Sequence, residues 1–288
     1  MYFVGLDLAW GENKQTGIAA VDSDGRLLHV GIAQDDTSII DAVAPYVGDD
    51  CVVAIDAPLI VNNPVGYRPA ETAFNRDFQR LDAGAYPANT GNPLFNPPRG
   101  AVLADALGLN MDPASGAERR AIEVYPHPAS VVLFGLEKTL KYKNKQGRTF
   151  DERQRELLKL MTLIEGLDRE SPRLRVNHNM NWVALRKRVE AASRPSQLDR
   201  DEDPVDAVLC AYVALYWYHR PGDVTIYGDF ETGYIVTPSL QPELTSAPQR
   251  RVVAPPNDEL HERLSHLEDL LAQAQFEAKT IRERLYRL

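Results

Sequence analysis

Five acidic residues interrupt or border apolar runs in this 288-residue chain, and their placement suggests shared chemistry. Asp7 lies near the end of Tyr2-Phe3-Val4-Gly5-Leu6-Asp7-Leu8, and Asp56 near the end of Cys51-Val52-Val53-Ala54-Ile55-Asp56. Glu123 sits inside Ala121-Ile122-Glu123-Val124, while Asp203 and Asp206 precede Ala207-Val208-Leu209-Cys210-Ala211-Tyr212. A carboxylate in an apolar setting must be protonated, hydrogen-bonded or bound to a cation, because leaving it unpaired is costly. Oxygen ligands suit hard divalent ions. The residues therefore point to a divalent metal site and to nuclease-like hydrolysis.

The elements that would carry these acids can be read from periodicity. The strand ending near Asp7 is followed by Gly17-Ile18-Ala19-Ala20-Val21-Asp22, the turn Ser23-Asp24-Gly25 and Leu27-Leu28-His29-Val30-Gly31-Ile32-Ala33. Asp-Gly between apolar runs is a hairpin signal, so strands one to three should form an antiparallel meander. Ile39, Ile40, Val43 and Val47 fall at helical spacing, with Thr37 or Ser38 available as the cap, and the strand ending in Asp56 follows. A further strand is expected over residues 120–125, closed by the Pro126-His127-Pro128 turn, then helices over 151–167 and 182–192. Asp203 before Pro204 reads as an N-cap with proline at the first helical position, which places Asp206 at the third. That spacing puts both aspartates on one helix face, where they can be aimed at Asp7 and Asp56.

Composition bounds the class. The chain is 44% hydrophobic and 25% charged, as expected of a globular protein with one large domain plus insertions or two small domains. No secretory signal pattern opens it, and the longest apolar stretch, residues 205–218, falls short of the roughly 20 residues of a bilayer span. Cys51 and Cys210 lie in apolar patterns, which suits reduced core thiols in the cytoplasm. Net charge is −9, yet residues 138–194 hold fifteen Lys or Arg against seven Asp or Glu. Lys138, Lys141, Lys143, Lys145 and Arg148 in that block are either phosphate contacts or a solvated surface. Residues 58–116, rich in Pro, Gly and Asn, read as an insertion with one helix around 71–81; Arg68, Glu71, Arg76, Arg80 and Arg99 suggest that it faces a substrate. His127 can bind metal or phosphate, shuttle protons, or hold its Pro-rich turn by a hydrogen bond.

A carboxylate on the first strand of a meander, another at the end of the fourth strand and an acidic late helix resemble the RNase H-like superfamily. Asp203-Pro204-Val205-Asp206-Ala207-Val208 resembles the acidic helix of Holliday-junction resolvases. Val4-Gly5-Leu6-Asp7-Leu8-Ala9-Trp10, Ala54-Ile55-Asp56-Ala57-Pro58, Glu123-Val124-Tyr125-Pro126-His127-Pro128 and Asp206-Ala207-Val208-Leu209-Cys210-Ala211-Tyr212 are together similar to a bacterial and archaeal family of predicted RNase H-like nucleases, over about residues 1–237. The resemblance implies an α/β fold, a mixed sheet with an antiparallel meander plus parallel strands flanked by helices. It also implies a phosphodiesterase using two Mg²⁺ or Mn²⁺ ions about 4 Å apart on DNA or RNA. Asp7 would bridge the ions, Asp56 and Asp206 would flank it, and Glu123 or Asp203 would be the fourth ligand. Lys141, Lys143 or Arg99 would hold the substrate phosphate, with Arg76 and His127 as further substrate contacts. One departure is the first helix, where the acid found in the RNase H branch has no clear counterpart, Asp41 being no more than a candidate, and this favours the resolvase-like branch.

Two other classes remain open. Gly5-Leu6-Asp7-Leu8 with Gly11 and Gly17 loosely matches the first phosphate loop of actin-like ATPases and sugar kinases, although a second phosphate loop is missing and a lone glycine pattern is weak. The alternative is a catalytically silent scaffold. Leu260, Leu264, Leu267, Leu271, Ala274, Ala278, Ile281, Leu285 and Leu288 step by four and three, a coiled-coil seam over residues 258–288 behind a Pro-rich linker at 238–257. Such a tail suggests a homodimer, the alternatives being a different coiled-coil partner or a helix docked on its own domain.

Overall fold

The computed structural model describes residues 1–240 except Trp10, Glu12 and Asn13. The coiled-coil expectation, the homodimer that depends on it and the linker beyond residue 240 lie outside the described residues, while Pro238, expected to open the linker, ends a buried strand. Residues Met1–Thr245 form one compact unit. Its core is a five-stranded mixed sheet, ordered β3-β2-β1-β4-β5. β1 (Tyr2–Asp7), β2 (Thr16–Asp22) and β3 (Leu27–Ala33) form the antiparallel meander, and Gly25 in the first tight turn has a φ of +76°, which glycine adopts without strain. After α1 (Asp36–Val47), β4 (Cys51–Ile55) joins β1 in parallel. α1 is capped by the Asp35 carboxylate, which accepts from the Ser38 amide at 2.8 Å, not by the Thr37 or Ser38 expected above.

The insertion holds α2 (Pro69–Phe78), a 3₁₀ turn at Gln79–Leu81, and a second helix the periodicity missed, α3 (Arg99–Ala106). β5 (Arg119–Glu123) then pairs in parallel with β4. The Pro126-His127-Pro128 segment is the first turn of α4 (Pro126–Leu133), not a strand-ending turn, because proline at the start of a helix forfeits no intrahelical bond. α5 (Phe150–Gly166) and α6 (Met180–Glu190) follow. The chain then enters α7 (Pro195–His219), which begins eight residues before Asp203, so neither aspartate is a cap residue. β6 (Val224–Asp229) and β7 (Gly233–Pro238), a separate hairpin unforeseen in the sequence, pack on α2.

Pro204 inside α7 cannot donate to the Arg200 carbonyl one turn earlier. Gln15 supplies the donor, its side-chain amide lying 2.7 Å from that carbonyl and 2.9 Å from Asp203 Oδ2.

The two faces of the sheet are told apart by β1. Tyr2 meets Tyr46 of α1, whereas Phe3 meets Tyr218 of α7, as alternation along a strand requires. Gly5 and Asp7 therefore face α7. The helix lies so close that a Cβ on Gly5 would stand 2.0 Å from the Ala207 carbonyl oxygen, and one on Gly17 2.1 Å from that of Asp203. Absent side chains at these positions let the helix backbone reach the sheet. Gly17→Ala is expected to destabilise the protein by about 1–3 kcal/mol through overpacking, measured by denaturant unfolding. An unchanged midpoint would mean that α7 can retreat without cost.

Candidate functional site

The acids converge at the carboxyl ends of two parallel strands, the edge of an open α/β sheet where ligands bind. Asp7 closes β1, and Asp56 follows β4 with its amide donating to the Leu6 carbonyl at 2.8 Å, so the strands end side by side. Asp203 and Asp206 sit one turn apart on the part of α7 held down at Gly17 and Gly5. Asp56 lies close enough to Asp7 and Asp206 for their charges to oppose its ionisation.

At the centre is Lys143, from the loop between α4 and α5. Its Nζ lies 2.7 Å from Asp206 Oδ2, 3.3 Å from Asp7 Oδ2, 3.3 Å from Asp203 Oδ1 and 3.7 Å from Glu202 Oε1. Glu202 was not foreseen, although it stands in the acidic run before Asp206. Asp206 is fully buried: Oδ1 accepts from the Tyr142 hydroxyl at 2.6 Å, while Oδ2 touches Lys143 without hydrogen-bond alignment and, among the described residues, has no hydrogen-bond partner. That leaves a buried oxygen held only by charge.

The electrostatics follow from this crowding. Burial, against the opposing pull of Lys143 and helped by repulsion from Asp206 and Asp203, pushes Asp7 up to about 7. Burial raises Asp56 as well, with Asp7 and Asp206 adding repulsion, and raises Glu202 to about 8. Burial opposes the Lys143 ammonium, but Asp206, Asp7 and Glu202 keep it firmly charged. A raised acid favours the fold only while protonated: unfolded Asp7 ionises near 3.8 and folded Asp7 near 7, so metal-free stability should fall as pH rises through that window. In chelator, the melting temperature of the parent is expected to drop more steeply between pH 4 and 7 than that of Asp7→Asn. Parallel curves would refute the assignment.

His127 supports the cluster from behind. Its Nδ1 lies 3.2 Å from the Tyr142 hydroxyl; since that hydroxyl donates to Asp206, the neutral ring donates from Nδ1 and leaves Nε2 without a proton. Burial lowers His127 to about 4, which keeps it neutral near pH 7.

Several expected residues are occupied elsewhere. Glu123 is not gathered with the aspartates. Its two oxygens are held by Arg68 at 2.9 and 2.5 Å, and the Leu59 amide donates to one of them at 2.9 Å. Arg68 also binds Glu71, which accepts from the Ala88 amide, so both are buried and paired, and with Glu123 they border a cavity of about 650 Å³ that Asp56, His127 and Lys143 also line. Arg99 straps Asp36 to the Ala9 carbonyl. Lys141 pairs with Asp82 at 2.8 Å. Arg76 is exposed in the last turn of α2, and Asp41 is exposed on α1. Much of the basic block is also paired: buried Arg153, for example, binds the Tyr142 carbonyl, Asp199 and Glu202.

A cavity of about 360 Å³ opens beside Lys143, walled by Tyr67, Tyr86, Tyr125, Lys141, Lys145 and Arg148 among others. Among the described residues, no three His, Cys, Asp or Glu side chains form a ready-made metal cage. Contacts of 2.7 to 3.7 Å around an ammonium are wider than the roughly 2.1 Å that Mg²⁺ requires. The donor set nevertheless fits such an ion: it is all carboxylate, in negative excess, and includes the orphaned Asp206 oxygen.

Fold and site together define a mixed α/β protein with an acidic cluster at the carboxyl edge of its sheet. The family described as "Protein of unknown function (DUF429)" matches residues 5–232, and the chain belongs to that family. A search of curated proteins found no match. Among the described residues, no helix is long and apolar enough to cross a membrane.

Proposed function

We propose that this protein is a divalent-metal-dependent nuclease with an RNase H-like fold. The observation that carries the proposal is the convergence of Asp7, Asp56, Asp203 and Asp206 from β1, the end of β4 and α7. A meander continued by two parallel strands, with an acidic helix packed across it, supports the fold assignment. Asp7, Asp56 and Asp206 would hold Mg²⁺ or Mn²⁺, with Asp203 as the fourth ligand in place of Glu123. When bound, two such ions supply the charge that activates water and stabilises a leaving oxygen. The chain's own contribution is to hold these acids in place. Tyr142 fixes Asp206, His127 fixes Tyr142, and the glycine contacts fix α7 against β1. Lys145 and Arg148, in the wall of the adjoining cavity, would meet the phosphates of DNA or RNA. Buried, unpaired Cys51 and Cys210 support a reducing compartment such as the cytoplasm.

The test is an assay of the purified chain on duplex, hybrid, branched and single-stranded substrates in Mg²⁺, Mn²⁺ or chelator. Cleavage that needs metal and is lost in an aspartate variant is expected. No cleavage of any substrate would sink the proposal.

A further inference from the structure

We propose that Lys143 is a displaceable internal counter-ion, occupying the centre of the carboxylate cluster until a divalent cation takes its place and the ammonium swings into the neighbouring cavity. The inference rests on the metal-site reading above and adds how that site is kept intact without metal.

Three observations carry it. First, one ammonium stands within 3.7 Å of four carboxylates from two elements, as an oxygen-seeking cation would. Its strongest partner, Asp206 Oδ2, is buried and holds no aligned hydrogen bond, so the contact is ionic and can be exchanged for another cation. Secondly, the backbone beneath Lys143 is pinned, while its side chain is held through the terminal ammonium, by hydrogen bonds of 3.3 Å to Asp7 and Asp203 and by the ionic contacts. The Tyr142 hydroxyl binds Asp206, the Tyr142 carbonyl accepts from Arg153 at 2.8 Å, and the Lys143 carbonyl accepts from Arg148 at 2.9 Å. Beyond Cβ the arm is a flexible chain with three more methylenes, so leaving the cluster needs rotamer changes and no loop opening. Thirdly, there is somewhere to go. Lys143 already lines the cavity that holds Tyr86, Tyr125, Lys141, Lys145 and Arg148, and an ammonium arriving there joins the groups suited to phosphate.

The physical logic is charge balance. Without a cation, four buried or half-buried acids would repel one another and open the sheet edge. An ammonium satisfies them at contacts near 3 Å. A divalent ion brings twice the charge and shorter contacts, and wins when its concentration is sufficient.

The experiment uses the full chain with Mn²⁺ as probe. Lysine acylation by an activated acetate ester is read by peptide mass spectrometry, with Lys138 at the surface as reference, and Mn²⁺ affinity is read by calorimetry for the parent, Lys143→Met and Lys143→Gln. Lys143 should be protected without metal and acylated about tenfold faster with it, and both variants should bind Mn²⁺ about tenfold more tightly, the scale of one close charge removed from a screened site. If the parent binds Mn²⁺ while Lys143 stays protected, or if the variants bind no more tightly, displacement is refuted and the metal site stands. Binding by the variants alone would make Lys143 a permanent plug, which also refutes displacement. If no form binds, both this proposal and the metal reading fail. Should the variants not fold, acylation of the parent decides.

Discussion

Asp7→Asn is expected to lower metal-dependent cleavage by about a hundredfold or more, because the ions in such sites carry several kcal/mol of transition-state stabilisation. Asp7 is the acid best placed to be shared: it faces Lys143 at 3.3 Å, and its charge interacts with Asp56 just past the neighbouring strand and with Asp203 and Asp206 on α7. The same substitution should leave metal-free stability at pH 8 unchanged or higher. The Asp7 carboxylate is buried and repelled by two aspartates, and asparagine retains its shape without the charge. Loss of cleavage together with retained or improved stability is the pattern of a site kept at a cost to the fold. A variant that cleaves as well as the parent would end the nuclease reading, and one that loses stability and cleavage together would make Asp7 a structural acid.

Arg68→Met is expected to cost about 3–5 kcal/mol, the usual penalty for breaking a buried ion pair by removing one partner. At 2–4 °C per kcal/mol for a chain of this size, that is a fall of about 6–20 °C in melting temperature. Arg68 joins Glu71 of α2 to Glu123 of β5, all three nearly inaccessible to water, and so ties the insertion to the sheet. Burial raises Glu123, against the strong lowering effect of Arg68. Without the guanidinium, Glu123 would take up a proton more readily, and the deficit should be smaller at pH 5 than at pH 8. Adding Glu123→Leu should recover part of the loss, since apolar replacement of both partners avoids the stranded charge. A deficit that ignores pH, or no recovery in the double variant, would show that packing around the Arg68 stem and not its charge holds the insertion.

Much of the sheet was legible because its signals are local. Apolar runs and the Asp24-Gly25 turn mark β1 to β4 within a few residues of their observed limits. The start of α7 was misplaced for an equally physical reason. Asp203-Pro204 has the chemistry of a helix start, and it is Gln15, distant in the chain, that satisfies the carbonyl an internal proline leaves bare. The hairpin of β6 and β7 passed unread although Thr225, Ile226, Tyr227, Ile235 and Val236 have strand-forming character.

For the site, the sequence by itself determined which acids lie at strand ends and which share a helix face, because strand alternation and helical rise relate neighbours a few residues apart. It marked Asp7, Asp56, Asp203 and Asp206. Partnership was decided by the tertiary structure alone. Glu123 looks like Asp56 in its own strand, yet Arg68 neutralises it from 55 residues away. Lys143 looks like any other lysine of a basic block, yet it lies 136 residues along the chain from the Asp7 it faces. Charge acts through space, so the role of a buried acid follows from the cation that packing delivers to it, and no period in the sequence records that.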